Sequence, residues 1–251
     1  MSEPRSDQAG TDDPLPLPGT GAMLAINSPL SAESVHRLAR VATAHHPATI
    51  VDYGCGWATM LLACLEQAPH ARGVGLDVHQ PDIVRGGADA QARGLSDRVE
   101  LRAAEAATHT DPADLLINLG AFHAFGTIAE ALIALRERRA EGGRLLFGCE
   151  YWVTPPTAEE LAHMWPEAST EDCDRLPEIA EAAVAAGWRI LDLHDSTRAE
   201  FDAFDLGHLR ERQEWLRRHP DHPERNQIAA EVTDWLRGHR RPMGFATFLL
   251  S

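Results

Sequence analysis

Two aspartates and two glycines carry the densest chemical signal in this chain. Asp52 lies in the run Val51-Asp52-Tyr53-Gly54-Cys55-Gly56-Trp57-Ala58-Thr59, and Asp77 closes the later run Arg72-Gly73-Val74-Gly75-Leu76-Asp77. Glycines one residue apart allow a tight turn and let backbone N–H groups approach a ligand closely. An acid at the end of the next strand accepts hydrogen bonds from both hydroxyls of a ribose. Turn, following helix and acid together imply a cofactor that contains adenosine. A dinucleotide turn reads G-x-G-x-x-G/A and needs its third small residue at Thr59; here that residue is Ala58. Asp52, inside the strand and two residues before the first glycine, is unfavourable beside a pyrophosphate. It suits a ligand bearing an ammonium group, such as the methionine half of S-adenosylmethionine. A P-loop is absent, since there is no GK[ST] and the chain contains no lysine.

These residues must be positioned by strands and helices, and the sequence alternates between the two. Ser31 offers a helix N-cap before Val35, Leu38, Ala39 and Ala42, and His46-Pro47 ends that helix. Ala48–Tyr53 reads as a buried strand and Trp57–Gln67 as an apolar helix. Arg72–Asp77 is the second strand; Pro81 opens a helix through Arg93, which Gly94 closes. Arg98–Arg102 and Ala113–Leu119 are the third and fourth strands. A helix over Thr127–Arg139 is stopped by Gly142-Gly143 before the strand Arg144–Cys149. Leu176–Ala186 is helical and Trp188–Asp195 extended; helical stretches near Phe204–Arg218 and Glu224–Arg237 precede a last strand, Met243–Leu250. This pattern predicts an α/β fold, a Rossmann-like seven-stranded mixed sheet with helices on both faces and a helical insertion before the last strand. Met243–Leu250 is expected as an antiparallel hairpin partner of Trp188–Asp195. Ligands of such sheets sit at the carboxyl ends of the strands.

Composition narrows the partners. With 38 acidic against 23 basic side chains the formal charge is -15, which disfavours a nucleic acid or an anionic membrane surface. Cys55, Cys64, Cys149 and Cys173 form no CxxC pair, and the histidines show no ligand spacing, so free thiols, a cytoplasmic setting and no metal are expected. Residues 1–21 are polar and rich in Pro, Asp and Gly, and read as a flexible arm that is mobile or lies across the cofactor. The remaining 22–251 form one domain, with substrate-side additions at 150–175 and 203–238.

The successive segments IVDYGCGWAT, GVGLD, ADLLINLG and EGGRLLF resemble the motifs of class I S-adenosylmethionine-dependent methyltransferases, over roughly Asn27 to Cys149. NSPLS, NLGAFHAFG and RPMGFATFLL further resemble a bacterial group of small-molecule methyltransferase-like proteins. The resemblance implies that Asp52, Gly54 and Gly56 line the methionine part of S-adenosylmethionine, with Tyr53 and Cys55 contributing backbone. It places Asp77 on the ribose, Val78 beside the adenine, Glu105 near the adenine amino group and Ala106 as a backbone contact. Asn118, Leu119 and Gly120 would stand close to the sulfonium and a small-molecule acceptor. Ala58 replaces the usual third glycine, a mild change expected to tighten helix packing, and Glu105 replaces the commoner aspartate. The N-P-P-aromatic motif of DNA amino-methyltransferases is missing.

Methyl transfer needs alignment, and a base where the acceptor must lose a proton. His123 is the first candidate base, or else a capping or pocket-lining histidine. Glu150 either orients an amine acceptor or forms a structural ion pair. Tyr151 and Trp152 form a pocket wall or pack in the core; Glu200, with Asp202, binds a basic substrate or lies in a solvated loop. The stretches 204–237 and 153–174 are expected to roof the acceptor. Rival readings are other chemistry on the same cofactor (aminocarboxypropyl transfer or cyclisation) and a non-catalytic binding protein of the same fold.

Overall fold

The computed structural model describes residues 20–251, so the expected arm falls almost entirely outside the described residues. The strands are β1 (Thr49–Tyr53), β2 (Arg72–Asp77), β3 (Val99–Ala103), β4 (Ala113–Leu119), β5 (Arg139–Trp152), β6 (Ile190–Asp195) and β7 (Met243–Leu250). Before and between the first five lie the helices α1 (Ala32–Ala42), α2 (Thr59–Gln67), α3 (Gln80–Ala92) and α4 (Ile128–Glu137). Beyond β5 come α5 (Ala158–Leu161), α6 (Leu176–Ala185), α7 (Arg198–Arg218) and α8 (Arg225–Arg237).

The local chemistry of each helix start is explicit. Ser31 Oγ accepts from Ser34 N at the head of α1, and Thr127 with Glu130 forms a reciprocal capping box on α4. Pro81 stands in the first turn of α3, and Gly94 ends that helix at a φ of 67°.

The strands form one sheet in the order β3-β2-β1-β4-β5-β7-β6. Neighbours are parallel except β7, which runs antiparallel to both β5 and β6. The expected antiparallel pairing with β6 is present, but not as a hairpin: α7 and α8 intervene, and β7 inserts between β5 and β6. Successive strand residues serve opposite faces. Ile50, Leu115, Ile117 and Leu146 pack with Leu38, Leu61, Leu62 and Leu65 of α1 and α2. Val51, Leu116, Leu145 and Phe147 pack with Leu132, Leu135 and Ile179 of α4 and α6. A sheet buried on both faces needs such unbroken apolar runs.

Several boundaries differ from the sequence expectation: α2 and β6 begin two residues later, at Thr59 and Ile190, β5 runs on past Cys149 to Trp152, and two starts differ more widely. β5 begins at Arg139 and passes through Gly142-Gly143 instead of starting after them. Gly142 takes a φ of 72°, a Cβ on Gly143 would lie 2.9 Å from the Asp114 carbonyl, and the β4–β5 register shifts between Ala113 and Leu115. The glycine pair is therefore a bulge within the strand. α7 begins at Arg198, six residues before the apolar pattern at Phe204, because Thr197 and Glu200 cap it. α7 and α8 pack together through an Arg212–Glu231 ion pair at 2.6 Å. Among the described residues, no helix is long and apolar enough to cross a membrane.

Candidate functional site

The strand order reverses direction between β1 and β4, and a crevice opens there at their carboxyl ends. It holds a cavity of about 250 Å³ walled by Asp52, Gly54, Cys55, Gly56, Asp77, Leu119, Gly120 and Glu150, among others. Eight sequence candidates thus meet in one place. Gly54 and Gly56 have φ of 80° and 51°, and a Cβ on Gly54 would fall 2.1 Å from the Ala121 Cβ, so the turn demands glycine. Its amides are not free for a ligand, however. Gly54 N and Cys55 N both donate to the Leu76 carbonyl, and Gly56 N donates to Asp77 Oδ2 at 2.8 Å. Ala58, expected as a mild replacement, has a φ of 61° and is fully buried. Its methyl group sits in left-handed backbone, which costs a non-glycine residue about 1–2 kcal/mol.

Two acids dominate the floor. Asp77 fixes the turn to β2, its other oxygen accepting from His79 N at 2.9 Å. Asp52 is 3% exposed, and among the described residues nothing donates a hydrogen bond to its carboxyl group. Burial, reinforced by the charge of Asp77, pushes its pKa up to about 8. Glu150, at the end of β5, is also raised by burial; Asp205 adds to that, while its own backbone amide and His123 oppose it. Among the described residues, no Arg or His side chain lines this cavity.

Other candidates stand elsewhere. Asn118 is fully buried and donates to the Tyr53 carbonyl at 3.0 Å, tying β4 to β1 instead of facing the cavity. The Tyr53 ring lies in the core beneath α4, edge-on to Phe125. Val78 is 67% exposed, Glu105 is exposed, and Ala106 is buried in that same core; none lines the cavity. His123 is exposed in a short 3₁₀ turn, its ring against Phe122. It stands outside the lining, yet close enough to act on the Glu150 charge.

Of the two readings for Tyr151 and Trp152, the structure has core packing. Tyr151 Oη donates to Asp195 at 2.7 Å, and Trp152 packs with Phe201, Met243 and Phe245 while its Nε1 donates to the Thr170 carbonyl. Glu200 does not lie in a free loop. Its oxygens accept from Ser31 N, Ser34 Oγ, Thr197 N and Thr197 Oγ1, which joins α1 to α7. Asp202 pairs with Arg240 at 2.7 Å. Segment 153–174 contributes to neither large cavity.

Phe204 of α7, from the stretch expected to roof the acceptor, does wall the cavity, and the rest of the roof comes from residues that sequence reasoning did not assign to it: Ile26, Asn27, Ser28, Pro29 and Leu30, with Phe245 of β7. The NSPLS run was the available signal. This strap is held down along its length. Trp57 Nε1 donates to the Ala25 carbonyl at 3.2 Å, and Arg85 lies 3.7 Å over the Trp57 ring while donating to Gly21 and Leu24. Ala22 N and Thr20 Oγ1 donate to Glu211 on α7. Beyond the strap, a second cavity of about 610 Å³ opens between residues 23–32 and the first half of α7. It shares Ile26, Ser28, Leu30 and Phe204 with the first.

This sheet order with an antiparallel β7 and a crevice at the β1/β4 switch defines a class, and known structures agree with it. No protein-family model matches the chain. A S-adenosylmethionine-dependent methyltransferase from Geobacter sulfurreducens, solved with S-adenosyl-L-homocysteine, superposes with a TM-score of 0.81 at 24% identity, covering 90% of this chain and 93% of that one. The uncharacterized protein YjhP of Escherichia coli (strain K12) is 26% identical over 210 residues, spanning 82% of this chain and 84% of YjhP. Its X-ray structure superposes with a TM-score of 0.80 at 24% identity, covering 90% of this chain and 95% of that one. The chain has the fold of class I, Rossmann-like S-adenosylmethionine-dependent methyltransferases.

Proposed function

We propose that this protein is an enzyme that transfers a methyl group from S-adenosylmethionine to a small-molecule acceptor. One observation carries the reading above all: Asp52, a buried carboxyl group without a partner, lines the cavity next to the glycine turn and Asp77. A buried acid in this state favours a ligand that brings its own cation. The methionine ammonium fits that requirement, and Asp77 is placed to accept from ribose hydroxyls while it braces the turn. S-adenosylmethionine supplies an electrophilic methyl group on a sulfonium. The chain's own part is to hold, orient and dry that group. Gly120, with a φ of 71°, lets the turn after β4 pass close by the cavity, and Leu119, Phe204 and Phe245 exclude water. Val78 and Glu105 serve the open adenine end, and Glu150 and His123 serve proton transfer on the acceptor side. The excess of negative charge supports a small molecule over a nucleic acid.

The test is calorimetric titration with S-adenosylhomocysteine, followed by incubation with methyl-labelled S-adenosylmethionine and cell extract. Saturable binding and label in a small molecule are expected, with S-adenosylhomocysteine as by-product. Methylthioadenosine in its place would redirect the chemistry, and absence of binding would sink the reading. Asp77→Ala should weaken S-adenosylhomocysteine by about 1.5–3 kcal/mol through lost charged hydrogen bonds.

A further inference from the structure

We propose that the acceptor is an amine on an apolar body, its nitrogen held at Glu150 and its body lying between residues 23–32 and α7. This rests on the methyl-transfer reading above. The first observation is one of charge. Among the described residues, three carboxyl groups, Asp52, Asp77 and Glu150, line the first cavity, and no basic side chain does. With Asp77 given to the ribose and Asp52 to the methionine ammonium, Glu150 is left with no cation from the co-substrate. The titratable groups near enough to act on it are His123, Asp205 and the thiols of Cys149 and Cys173; Cys149 is turned into the core on the other face of β5, His123 is exposed on the rim, and Asp205 is already engaged by Trp235 Nε1. Glu150 Oε1 points at the turn after β4, 3.8 Å from where a Gly120 Cβ would stand. A carboxylate withdrawn from water is stabilised by a cation brought to it. A hydroxyl or carboxylate acceptor brings none; an alkylammonium does.

The second observation is the apolar room next door. Met23, Leu24, Ile26, Leu30, Phe204 and Leu206 wall the larger cavity, which meets the first along shared residues. Glu200 reaches it with its oxygens already bound to α1 and the α7 cap, and Arg210 is exposed there. The interior thus offers burial without an ionic partner, so the body it takes is uncharged. In turnover Glu150 accepts one proton from the bound ammonium. The freed nitrogen lone pair forms the N–C bond as the C–S bond breaks, and that bond's electron pair stays on sulfur. The products are an N-methylammonium and S-adenosylhomocysteine; Glu150 then releases its proton to solvent past His123.

The experiment titrates octylamine, 1-octanol and octanoate into protein saturated with S-adenosylhomocysteine, so no turnover is required. Octylamine should bind about tenfold more tightly than octanol, with octanoate weakest. From butylamine to octylamine each added methylene should tighten binding about fourfold, the equivalent of ~0.8 kcal/mol per buried CH₂. Glu150→Gln should bring octylamine down to the octanol level while S-adenosylhomocysteine affinity, which also reports correct folding, stays within about twofold. Equal binding of octylamine and octanol by the unaltered protein would overturn the amine assignment, and a flat chain-length series would overturn the apolar body. Failure of S-adenosylhomocysteine itself to bind would remove the parent reading, and this one with it.

Discussion

Asp52 is where burial and charge act most strongly against each other. Held near 8, its carboxyl group is mostly protonated in the free protein at pH 7, whereas an unfolded aspartate ionises near 3.8. The folded chain therefore binds a proton that the unfolded chain lacks between these values, and stability falls as pH rises through that window. Asp52→Asn should raise the Tm at pH 8 by several degrees more than at pH 4. A ligand ammonium reverses the balance, since it favours the carboxylate. Binding of S-adenosylhomocysteine at pH 7 should then release close to one proton, measured calorimetrically in buffers of differing ionisation enthalpy, and Asp52→Asn should abolish the release. Residues of this kind were legible in the sequence because turn spacing ties them to strand ends. Their neighbours were not. Along β5, Glu150 reaches the cavity while Cys149 and Tyr151 enter the core on the other face. Proximity to a strand end says nothing about which face a side chain takes, and Asn118 and Tyr151 take the face away from the cavity for that reason; Trp152 shares the face of Glu150 but packs with Phe201, Met243 and Phe245 beyond the cavity.

At the scale of elements, strand and helix order was readable apart from the short α5, because buried parallel strands are short apolar runs and the helices between them are capped by recognisable residues. The two starts misread most widely share one cause: backbone chemistry overrode hydrophobic pattern. Gly142-Gly143 reads as a stop and is a bulge; Thr197-Arg198-Ala199-Glu200 reads as a loop and is a capping box. That box also engages the oxygens of Glu200 within the fold. Its side chain is 8% exposed, and hydrogen bonds from Ser34, Ser31 and Thr197 outweigh its burial and hold its pKa down to about 2. Such a group contributes stability that is present above the ordinary carboxylate range and is lost as pH falls through about 2. Glu200→Ala leaves the donors at Ser31, Ser34 and Thr197 unmatched and should cost about 2–4 kcal/mol in urea unfolding at pH 7. A loss below about 0.5 kcal/mol would mean that α1 and α7 are docked by packing alone.

Across the whole molecule, the strap from Thr20 to Leu30 joins parts that the chain separates widely: the glycine turn through Trp57, α3 through Arg85, and α7 through Glu211 and the Leu24–Gly207 contact. It walls both cavities. No periodicity in the sequence announces this, since an irregular segment has neither a helical nor an extended repeat, and only its contacts give it a role. Arg85 is the joint on which the strap depends most, stacking on Trp57 and donating to two strap carbonyls with one guanidinium. Removing these contacts forfeits about 1–2 kcal/mol of closure. Because they form only once the strap is down, the loss belongs to the exit barrier more than to the encounter. Arg85→Ala should therefore raise the dissociation rate of S-adenosylhomocysteine about tenfold, followed by Trp57 fluorescence in stopped flow, with the association rate changed less than about threefold. Arg85→Lys keeps the charge but not the planar fork, and should recover only part of the effect. An unchanged off-rate in Arg85→Ala would show that the strap rests on the cavity without closing it.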